Sequence, residues 1–258
     1  HLKLSDEAIC IGPGPAKDSY LNEAAIIAAA ELANVDAIYP GYGFLAENAA
    51  FAEKCNESGF KFIGPDPKVI EIMGDKIKAK ELVSSLGIPI VPGYSGDIQS
   101  NEQIRSIVKE IGYPVIVKAT SGGGGKGMRI VNSEDELWDS IVSAQNEAKL
   151  AFGDDKVFIE KYLSKPRHIE IQVFGDGKGK AVHLYSRDCS LQRKYQKILE
   201  EAPALNIPKE KLDEIQNICV RACEEINYEG AGTLEFLYEN GQFFFIEMNT
   251  RIQVERTV

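Results

Sequence analysis

A glycine-rich segment, residues 121–127 (Ser-Gly-Gly-Gly-Gly-Lys-Gly), separates two short apolar stretches that are predicted to be strands. Glycines let backbone N–H groups fold around phosphate oxygens, and the lysine adds positive charge. A flexible hairpin loop is the simpler alternative, but four consecutive glycines carry a large entropic cost on folding. The segment leads into a strand, whereas a Walker loop or a dinucleotide fingerprint leads into a helix. We therefore predict a glycine flap that covers phosphate.

Near the C-terminus, polar residues take every second position: Glu247, Asn249, Arg251, Gln253 and Glu255. If this segment is extended, the five side chains share one face. A strand with one solvated face is the alternative. Two carboxylates, two amides and a guanidinium are instead a set that suits magnesium and a small anion. The pattern favours a binding site over an ordinary surface strand.

Glu235 lies on the preceding predicted strand, across a turn at residues 239–241. A two-residue Asn-Gly turn would put Glu235 and Glu247 on opposite faces, whereas a three-residue loop would put them on the same face. We predict the longer loop or an equivalent bulge. Two adjacent carboxylates repel each other, and a hard cation such as Mg²⁺ relieves the repulsion. The register of this hairpin therefore tests the metal site.

A third candidate segment, residues 187–197, is locally basic in an acidic chain. A solvated surface is the common explanation for such a run. A single basic residue in a strand, such as His168, Lys118 or Lys126, is likewise more often structural. None of these residues defines a site by itself.

The spacing of apolar residues predicts the helices and strands that position these candidate residues. Helical patterns at residues 19–35 and 48–58 alternate with short strand patterns at residues 37–39 and 60–63. This alternation predicts part of a doubly wound domain with a parallel sheet. No good opening strand precedes residue 19 apart from residues 8–11, so we expect an N-terminal truncation.

The rest of the chain predicts two further modules. A helix at residues 75–86 and a Pro- and Gly-rich linker lead into a small mixed module. This module has strands at 114–119, 128–131 and 157–162 and a helix at 134–150, for which Ser133 is the expected cap. Strands then dominate, at 169–174, 181–187, 233–238 and 243–248, around one long helix at 209–226. The fold class is therefore mixed, α/β in the first part and α+β, with an antiparallel sheet, in the last.

Composition bounds the function. The chain has 258 residues, 44% hydrophobic and 26% charged, which is enough for a core in each of two or three domains. Its net charge of −10 argues against nucleic acid or anionic membranes as partners. It contains no apolar run of membrane-spanning length and no secretion signal, so we expect a cytoplasmic protein. The five cysteines include no Cys-x-x-Cys pair, and we expect Cys219 and Cys223 in a helix core.

Seven motifs together resemble the biotin carboxylase component of biotin-dependent carboxylases, a member of the ATP-grasp superfamily. They are residues 40–48, 73–76, 118–127, 160–163, 187–190, 196–203 and 247–255. The resemblance spans essentially the whole chain. It implies an ATP-grasp fold with a partial N-terminal domain (1–74), a linker (75–90), a lid module (91–163) and the first part of a C-terminal domain (164–258).

Matching these motifs position by position implies roles for individual residues. The implied ATP contacts are Lys76, Lys118, Gly123, Gly124, Gly125, Lys126, Glu160, Lys161, Leu163, His168 and Gln192. The implied ligands of Mg²⁺ or Mn²⁺ are Glu235, Glu247 and Asn249. The implied bicarbonate site consists of Lys197, Arg251, Gln253 and the backbone of Val254, with Glu255 as general base.

The resemblance also implies a reaction. Bicarbonate attacks the γ-phosphate of ATP to give carboxyphosphate and ADP, and biotin on a carrier protein then captures the CO₂ that is released. This is phosphoryl transfer, in which positive charge and a closing lid do most of the work. The implied partners are the carrier, a carboxyltransferase and a second copy in a homodimer. The final acceptor, acetyl-CoA, propionyl-CoA or pyruvate, is not determined by this component.

Some positions depart from the family pattern. Tyr195 replaces a common His, and Arg256-Thr257 replaces His-Pro beside the expected base. The second half of the family's C-terminal domain, with an arginine for biotin, has no counterpart, so we expect weak or no turnover by this chain alone. Two alternatives remain. One is an ATP-grasp ligase that joins a carboxylate to an amine, and the other is a degenerate nucleotide-binding or assembly module.

Overall fold

The computed structural model describes residues 3–98, 100–120, 127–193 and 196–257. Within these residues, buried apolar side chains form three clusters. We call them the N-terminal core, around Phe51, the lid core, around Ile141, and the sheet core, around Phe236. The candidate site is assembled from elements of all three.

The N-terminal core is built from two helix–strand units. Its elements are α1 (Glu23–Leu32), β1 (Ala37–Ile38), α2 (Ala49–Glu57) and β2 (Lys61–Phe62). The two strands pair in parallel, as predicted from the alternation of patterns. Asn22 and Asn48 cap the helices, because their side chains accept hydrogen bonds from Ala25 N and Phe51 N. Among residues 3–36 there is no strand, so residues 8–11 do not form one.

Two further helices, α3 (Pro67–Gly74) and α4 (Lys76–Ser85), follow. Asp66 and Asp75 cap them through their side chains. The second helix was predicted, whereas no pattern had indicated the first. Both pack on the sheet core, so the segment expected to act as a linker is largely a packed helix.

The lid module surrounds a core of its own. Its elements are β3 (Gly93–Tyr94), α5 (Asn101–Ile111), β4 (Val115–Ala119), β5 (Met128–Val131), α6 (Glu134–Phe152) and β6 (Val157–Lys161). The described strands lie in the order β3-β6-β4-β5, and all pairs are antiparallel. Ser133 precedes α6 as predicted, but its side chain makes no capping hydrogen bond. Helix α5 was not predicted.

The remaining elements form an antiparallel sheet with a helix packed on it. They are β7 (Arg167–Asp176), β8 (Ala181–Arg193), β9 (Gln196–Glu201), α7 (Lys209–Glu225), β10 (Glu229–Glu239) and β11 (Gln242–Asn249). The described strands lie in the order β11-β10-β7-β8-β9. Cys219 and Cys223 are buried under the sheet, as expected. No helix within the described residues has the length and apolar character needed to cross a membrane.

The chain does not stay extended beyond β11. The strand ends at Asn249, and Val254–Thr257 is a short 3₁₀ helix. The prediction of one extended polar face through Glu255 is therefore wrong. The physical reason is that the Glu47 carboxylate accepts hydrogen bonds from Thr250 N and Arg251 Nε, so Thr250 N bonds to a side chain of the N-terminal core and not to a neighbouring strand.

Candidate active site

Glu235 and Glu247 lie directly opposite each other on β10 and β11. Glu239 pairs with Gln242 across a two-residue turn, but the register shifts between Glu235 and Phe236. This bulge confirms the predicted alternative to a three-residue loop. It brings both carboxylates to one face of the sheet. Burial and the nearby Glu235 raise the pKa of Glu247, so the two carboxylates repel each other.

Lys197 lies between two buried carboxylates. Its Nζ donates to Glu235 Oε1 at 2.9 Å and also to Glu170 Oε1. Glu170 and Glu235 are paired on the adjacent strands β7 and β10. Burial lowers the pKa of Lys197, but the two carboxylates outweigh burial and raise it. Lys197 is therefore a fixed positive charge at the centre of the site.

Arg187 supplies a second buried cation behind Glu170. Its Nε lies 3.2 Å from Glu170 Oε2, and its Nη2 donates to Gln172 Oε1 at 3.0 Å and to Gln253 Oε1 at 3.2 Å. Gln253 in turn donates from Nε2 to Glu235 Oε1 at 3.2 Å. Hydrogen bonds therefore connect the loop after β11 to the charges on the sheet, which fixes the position of that loop.

His168 faces the same carboxylates from β7. Its Nε2 lies 2.9 Å from Glu235 Oε2 and 3.5 Å from Glu170 Oε1. Burial lowers the pKa of His168, but Glu170 and Glu235 outweigh burial and raise it to about 9. Gln192 lies on the other side of the ring, with Nε2 3.1 Å from His168 Nδ1. The two carboxylates therefore lie on one side of the imidazole and the Gln192 amide lies on the other.

Arg251, Asn249 and Glu255 border this group. Arg251 Nη2 donates to Asn249 Oδ1 at 2.8 Å, and Asn249 Nδ2 donates to Glu235 Oε1 at 2.8 Å. Glu255 Oε1 lies 3.4 Å from Lys197 Nζ. Around Glu235 lie the Lys197 ammonium with its neighbour Glu255, and the Arg251 guanidinium, which Asn249 connects to Glu235. This set can hold a small anion and accept a proton from it.

A second cluster lies at the start of α4 and on the lid. Glu160 is 4% exposed and contacts the ammonium groups of Lys80 and Lys118, the latter at 2.7 Å. Burial raises the pKa of Glu160, but the two lysines outweigh burial and lower it. Burial lowers the pKa of Lys76, which feels the charges of Glu247, Lys118 and Glu160. Lys76 therefore lies electrostatically between the two clusters.

Some predicted residues do not join these clusters. Lys161 turns its Nζ onto the carbonyl oxygens of Gly112 and Tyr113, at 3.0 and 2.9 Å, beyond the end of α5. Leu163 is half-buried, and Val254 is exposed at the start of the 3₁₀ helix. The remaining predicted contacts, together with the departure at position 195, lie outside the described residues: Gly123, Gly124, Gly125, Lys126 and Tyr195.

Four charged residues at the site were given no individual role from the sequence: Glu47, Lys80, Glu170 and Arg187. Glu170 alternates with Ile169 and Ile171 in β7, which is the pattern of an ordinary half-exposed strand, yet its side chain is fully buried. Glu47 lies in a quoted motif, but its partners Thr250 and Arg251 are more than 200 residues away in sequence. Lys80 has no local signal because a lysine is an ordinary residue on a helix surface.

The donor atoms fit a divalent cation in one of two ways. The predicted set, Glu235, Glu247 and Asn249, offers two carboxylates and an amide oxygen, the hard donors that Mg²⁺ prefers. Burial and the nearby Glu235 raise the pKa of Glu247, and a bound cation would relieve this repulsion. A different set, His168, Glu170 and Glu235, also brings three ligand atoms within 4.8 Å of one another. In that set Lys197 already contacts both carboxylates, which favours the predicted one.

Two family profiles match the chain in succession. The profile described as "Biotin carboxylase, N-terminal domain" matches residues 1–70, and that described as "Carbamoyl-phosphate synthase L chain, ATP binding domain" matches residues 75–258. The second covers most of the chain. With the antiparallel sheet, the lid and the buried charges, these matches define an ATP-grasp protein.

Relatives and solved structures narrow this class. The chain is 56% identical to biotin carboxylase of Pseudomonas aeruginosa, over 100% of the chain and 58% of that protein. It superposes with a TM-score of 0.91 on a biotin carboxylase–β-γ-ATP complex from Campylobacter jejuni, at 49% identity over 99% of the chain and 58% of that structure. The chain belongs to the biotin carboxylase family.

A third comparison concerns ligands. The biotin carboxylase domain of Hydrogenobacter thermophilus 2-oxoglutarate carboxylase, solved with MgADP, ADP and bicarbonate, matches with a TM-score of 0.89 at 49% identity. The match covers 100% of the chain and 57% of that domain. The chain therefore spans a little over half the length of these relatives.

Proposed function

We propose that the chain contributes the nucleotide and bicarbonate sites of an ATP-dependent biotin carboxylase. The observation that carries this proposal is that Lys197 contacts Glu235, one of the two paired carboxylates, and lies 3.4 Å from Glu255, while Asn249 links Arg251 to the same Glu235. A site for a divalent cation thus adjoins a site for a small anion. Membership of the family supports the same assignment.

We assign ATP to the region where the lid and the sheet meet beside the start of α4. Lys76 and Lys118 hold its phosphates, and the backbone of residues 160–163 lies along the adenine edge, with His168 and Gln192 nearby. The glycines and Lys126 of the predicted flap cover the phosphates. The buried position of Glu160, with lysines on both sides, supports this placement, because it keeps cations next to the proposed phosphate path.

Glu235, Glu247 and Asn249 would hold Mg²⁺ or Mn²⁺. When bound, the metal neutralises phosphate charge that develops as the γ-phosphoryl group is transferred. The protein's own contribution is to fix the two carboxylates opposite each other, which the bulge achieves. Asn249 is held in place by its hydrogen bonds to Glu235 and Arg251.

Lys197, Arg251, Gln253 and the Val254 backbone would hold bicarbonate. Glu255 takes the bicarbonate proton, and a bicarbonate oxygen then attacks the γ-phosphorus while the bond to the β-phosphate oxygen breaks and ADP leaves. The carboxyphosphate splits into CO₂ and phosphate. The phosphate removes the ureido proton of biotin, and the biotin nitrogen attacks CO₂. Positioning by fixed cations supplies most of the rate enhancement in such reactions.

Assembly and location stay predictions. A biotin carrier, a carboxyltransferase, a homodimer and a cytoplasmic location were expected from the sequence. The acyl acceptor also stays open, since one relative at 50% identity is the alpha subunit of rice methylcrotonoyl-CoA carboxylase, of which the chain covers 35%. Weak or no turnover by the 258-residue chain alone is a prediction of the same kind.

The decisive test is ADP release, with MgATP, bicarbonate and free biotin, by the chain completed with the second half of the family's C-terminal domain, because weak or no release is expected of the 258-residue chain alone. We expect release to depend on bicarbonate, to increase with biotin and to fall to background in Glu255→Gln. Release that required an amine and ignored bicarbonate would indicate a carboxylate–amine ligase. Nucleotide binding without cleavage in any mixture, even on long incubation, would favour a nucleotide-binding module instead.

A further inference from the structure

Lys80 is a buried cation that the proposed reaction does not use. It lies on α4, and its side chain is 15% exposed. Its ammonium contacts Glu160 Oε1 and lies 4.4 Å from the centroid of the Phe158 ring. Burial lowers the pKa of Lys80, while the adjacent Glu160 opposes this effect. An ammonium held by a carboxylate and an aromatic face has little freedom to move.

Glu160 is shared between Lys80 and a second lysine with different freedom. Lys118 contacts the other oxygen, Oε2, at 2.7 Å. The side chain of Lys118 is more exposed, at 23%, and its ammonium is 6.0 Å from the Phe158 ring. Lys118 is thus the more loosely held partner. It is also the one that the proposed function assigns to phosphate.

A buried carboxylate that loses its only cation pays a large desolvation penalty. If Lys118 turns from Glu160 to a phosphate, Glu160 needs another positive charge to remain ionised in its buried position. Lys80 supplies that charge from the opposite oxygen. Without Lys80, the pull of Glu160 on Lys118 would compete with the pull of the nucleotide.

We propose that Lys80 is a positioning residue for nucleotide binding, which stays paired with Glu160 and so releases Lys118 to the phosphates of ATP. This inference rests on the proposed nucleotide site. It predicts that the benefit of Lys80 is specific to phosphate. Adenosine, which has no phosphate to attract Lys118, gains nothing from Lys80.

The test compares ATP and adenosine as ligands of the full chain. Dissociation constants are measured by displacement of a fluorescent ATP analogue in wild type, Lys80→Met, Lys80→Arg and the control Lys78→Met. Lys78 lies on the same helix but is exposed. In Lys80→Met we expect ATP affinity to fall about 10-fold and adenosine affinity to change less than about 2-fold. Lys80→Arg keeps the charge and the contact with the ring, so it should stay within about 3-fold of wild type.

Three other outcomes overturn the inference. A parallel loss of ATP and adenosine affinity in Lys80→Met would show that Lys80 only maintains the shape of the pocket. Unchanged ATP affinity in Lys80→Met would show that Lys118 can bind the phosphates without the ammonium of Lys80 beside Glu160. Both results leave the proposed function intact if wild type binds ATP, whereas failure of wild type to bind ATP overturns the proposed site itself.

Discussion

The carboxylate of Glu47 accepts hydrogen bonds from Arg251 Nε at 2.7 Å and from Thr250 N at 3.2 Å. Glu47 follows β1 in the N-terminal core, whereas Arg251 follows β11 in the sheet. One side chain thus orients the guanidinium at the proposed bicarbonate site and sets the direction of the backbone that carries Glu255. Distant parts of the chain must fold together before the anion site exists.

Neutralising Glu47 should therefore weaken bicarbonate use without affecting ATP. In Glu47→Gln we expect the bicarbonate concentration for half-maximal ADP release to rise about 5-fold, because a charge-assisted hydrogen bond to Arg251 is lost. The ATP dissociation constant should stay within about 2-fold, since Glu47 contacts the loop and not the lysine cluster. Initial rates of ADP release measure the first effect, and fluorescent nucleotide displacement measures the second.

Glu53→Gln is the matched control, because Glu53 is an exposed carboxylate on α2 in the same core. It should behave as wild type in both assays. An equal loss of ATP and bicarbonate affinity in Glu47→Gln would mean that Glu47 maintains the whole site and does not specifically orient Arg251.

Replacing Glu247 should separate metal binding from stability. Burial and the proximity of Glu235 raise the pKa of Glu247, so its ionised form destabilises the metal-free protein at neutral pH. We expect Glu247→Gln to raise the melting temperature without metal and to raise the Mg²⁺ concentration needed for ATP binding at least about 10-fold. Differential scanning fluorimetry and magnesium titrations measure the two effects. The control Glu225→Gln, an exposed change at the end of α7, should alter neither the melting temperature nor the Mg²⁺ requirement. A lower melting temperature in Glu247→Gln would contradict the repulsion argument.

Asp188 provides a test of pH dependence. It accepts hydrogen bonds from Arg167 Nη2 at 2.6 Å and from Ser190 N at 2.9 Å. Burial raises the pKa of Asp188, but Ser190 and Arg167 outweigh burial and lower it. The stabilisation is therefore present above the unfolded-state pKa of about 4 and is lost as the pH falls through the lower folded-state value.

We expect Asp188→Asn to lower the free energy of unfolding by about 1–2 kcal/mol at pH 7, with a difference from wild type that shrinks below about pH 4. Urea denaturation across this pH range measures it. The control is Asp213→Asn, which removes a surface pair with Lys209 and should have a smaller effect at every pH. A gap between Asp188→Asn and wild type that grew as the pH fell would refute the assignment.

A substitution of Lys161 tests whether this residue contributes to ATP binding through its side chain or only through its backbone. Its ammonium binds the Gly112 and Tyr113 carbonyl oxygens just beyond α5, where a positive charge also favours the helix dipole. Lys161→Met should lower the stability of the lid by about 1–2 kcal/mol and change ATP affinity less than about 2-fold. Hydrogen exchange of lid amides and nucleotide displacement give the two values. Lys156→Met, an exposed change just before β6, should change neither value. A large loss of ATP affinity with an unaltered lid would assign the Lys161 ammonium to the nucleotide.

Local patterns were sufficient for most strands and for the hairpin register. The repulsion between Glu235 and Glu247 could be argued from spacing and turn length, and the bulge between Glu235 and Phe236 confirms that argument. Strands β4, β5 and β6 also lie within a residue of the predicted bounds. In these cases the deciding interactions are near in sequence, so alternation and turn chemistry contain the necessary information.

Features that the sequence did not predict depend mostly on contacts between residues far apart in the chain. The alternation from Glu247 to Glu255 favours a strand, but Glu47 redirects the backbone at Thr250. Glu170 and Lys80 act through partners on other elements, which a linear pattern does not reveal. Helix α3 begins with an Asp66 cap and a proline, which is a helix start signal. Its eight residues are too few to show a clear helical spacing of apolar side chains.

The three separate cores have a consequence for how the protein unfolds. A chain whose apolar side chains form one cluster commonly melts in a single cooperative transition, whereas separate clusters can open independently. The lid core includes neither Phe51 nor Phe236, so its strands can lose protection while the sheet remains folded. Calorimetry should therefore give a van't Hoff enthalpy smaller than the calorimetric enthalpy. ATP bound between the lid and the sheet should couple the unfolding of these two parts and narrow the thermal unfolding transition.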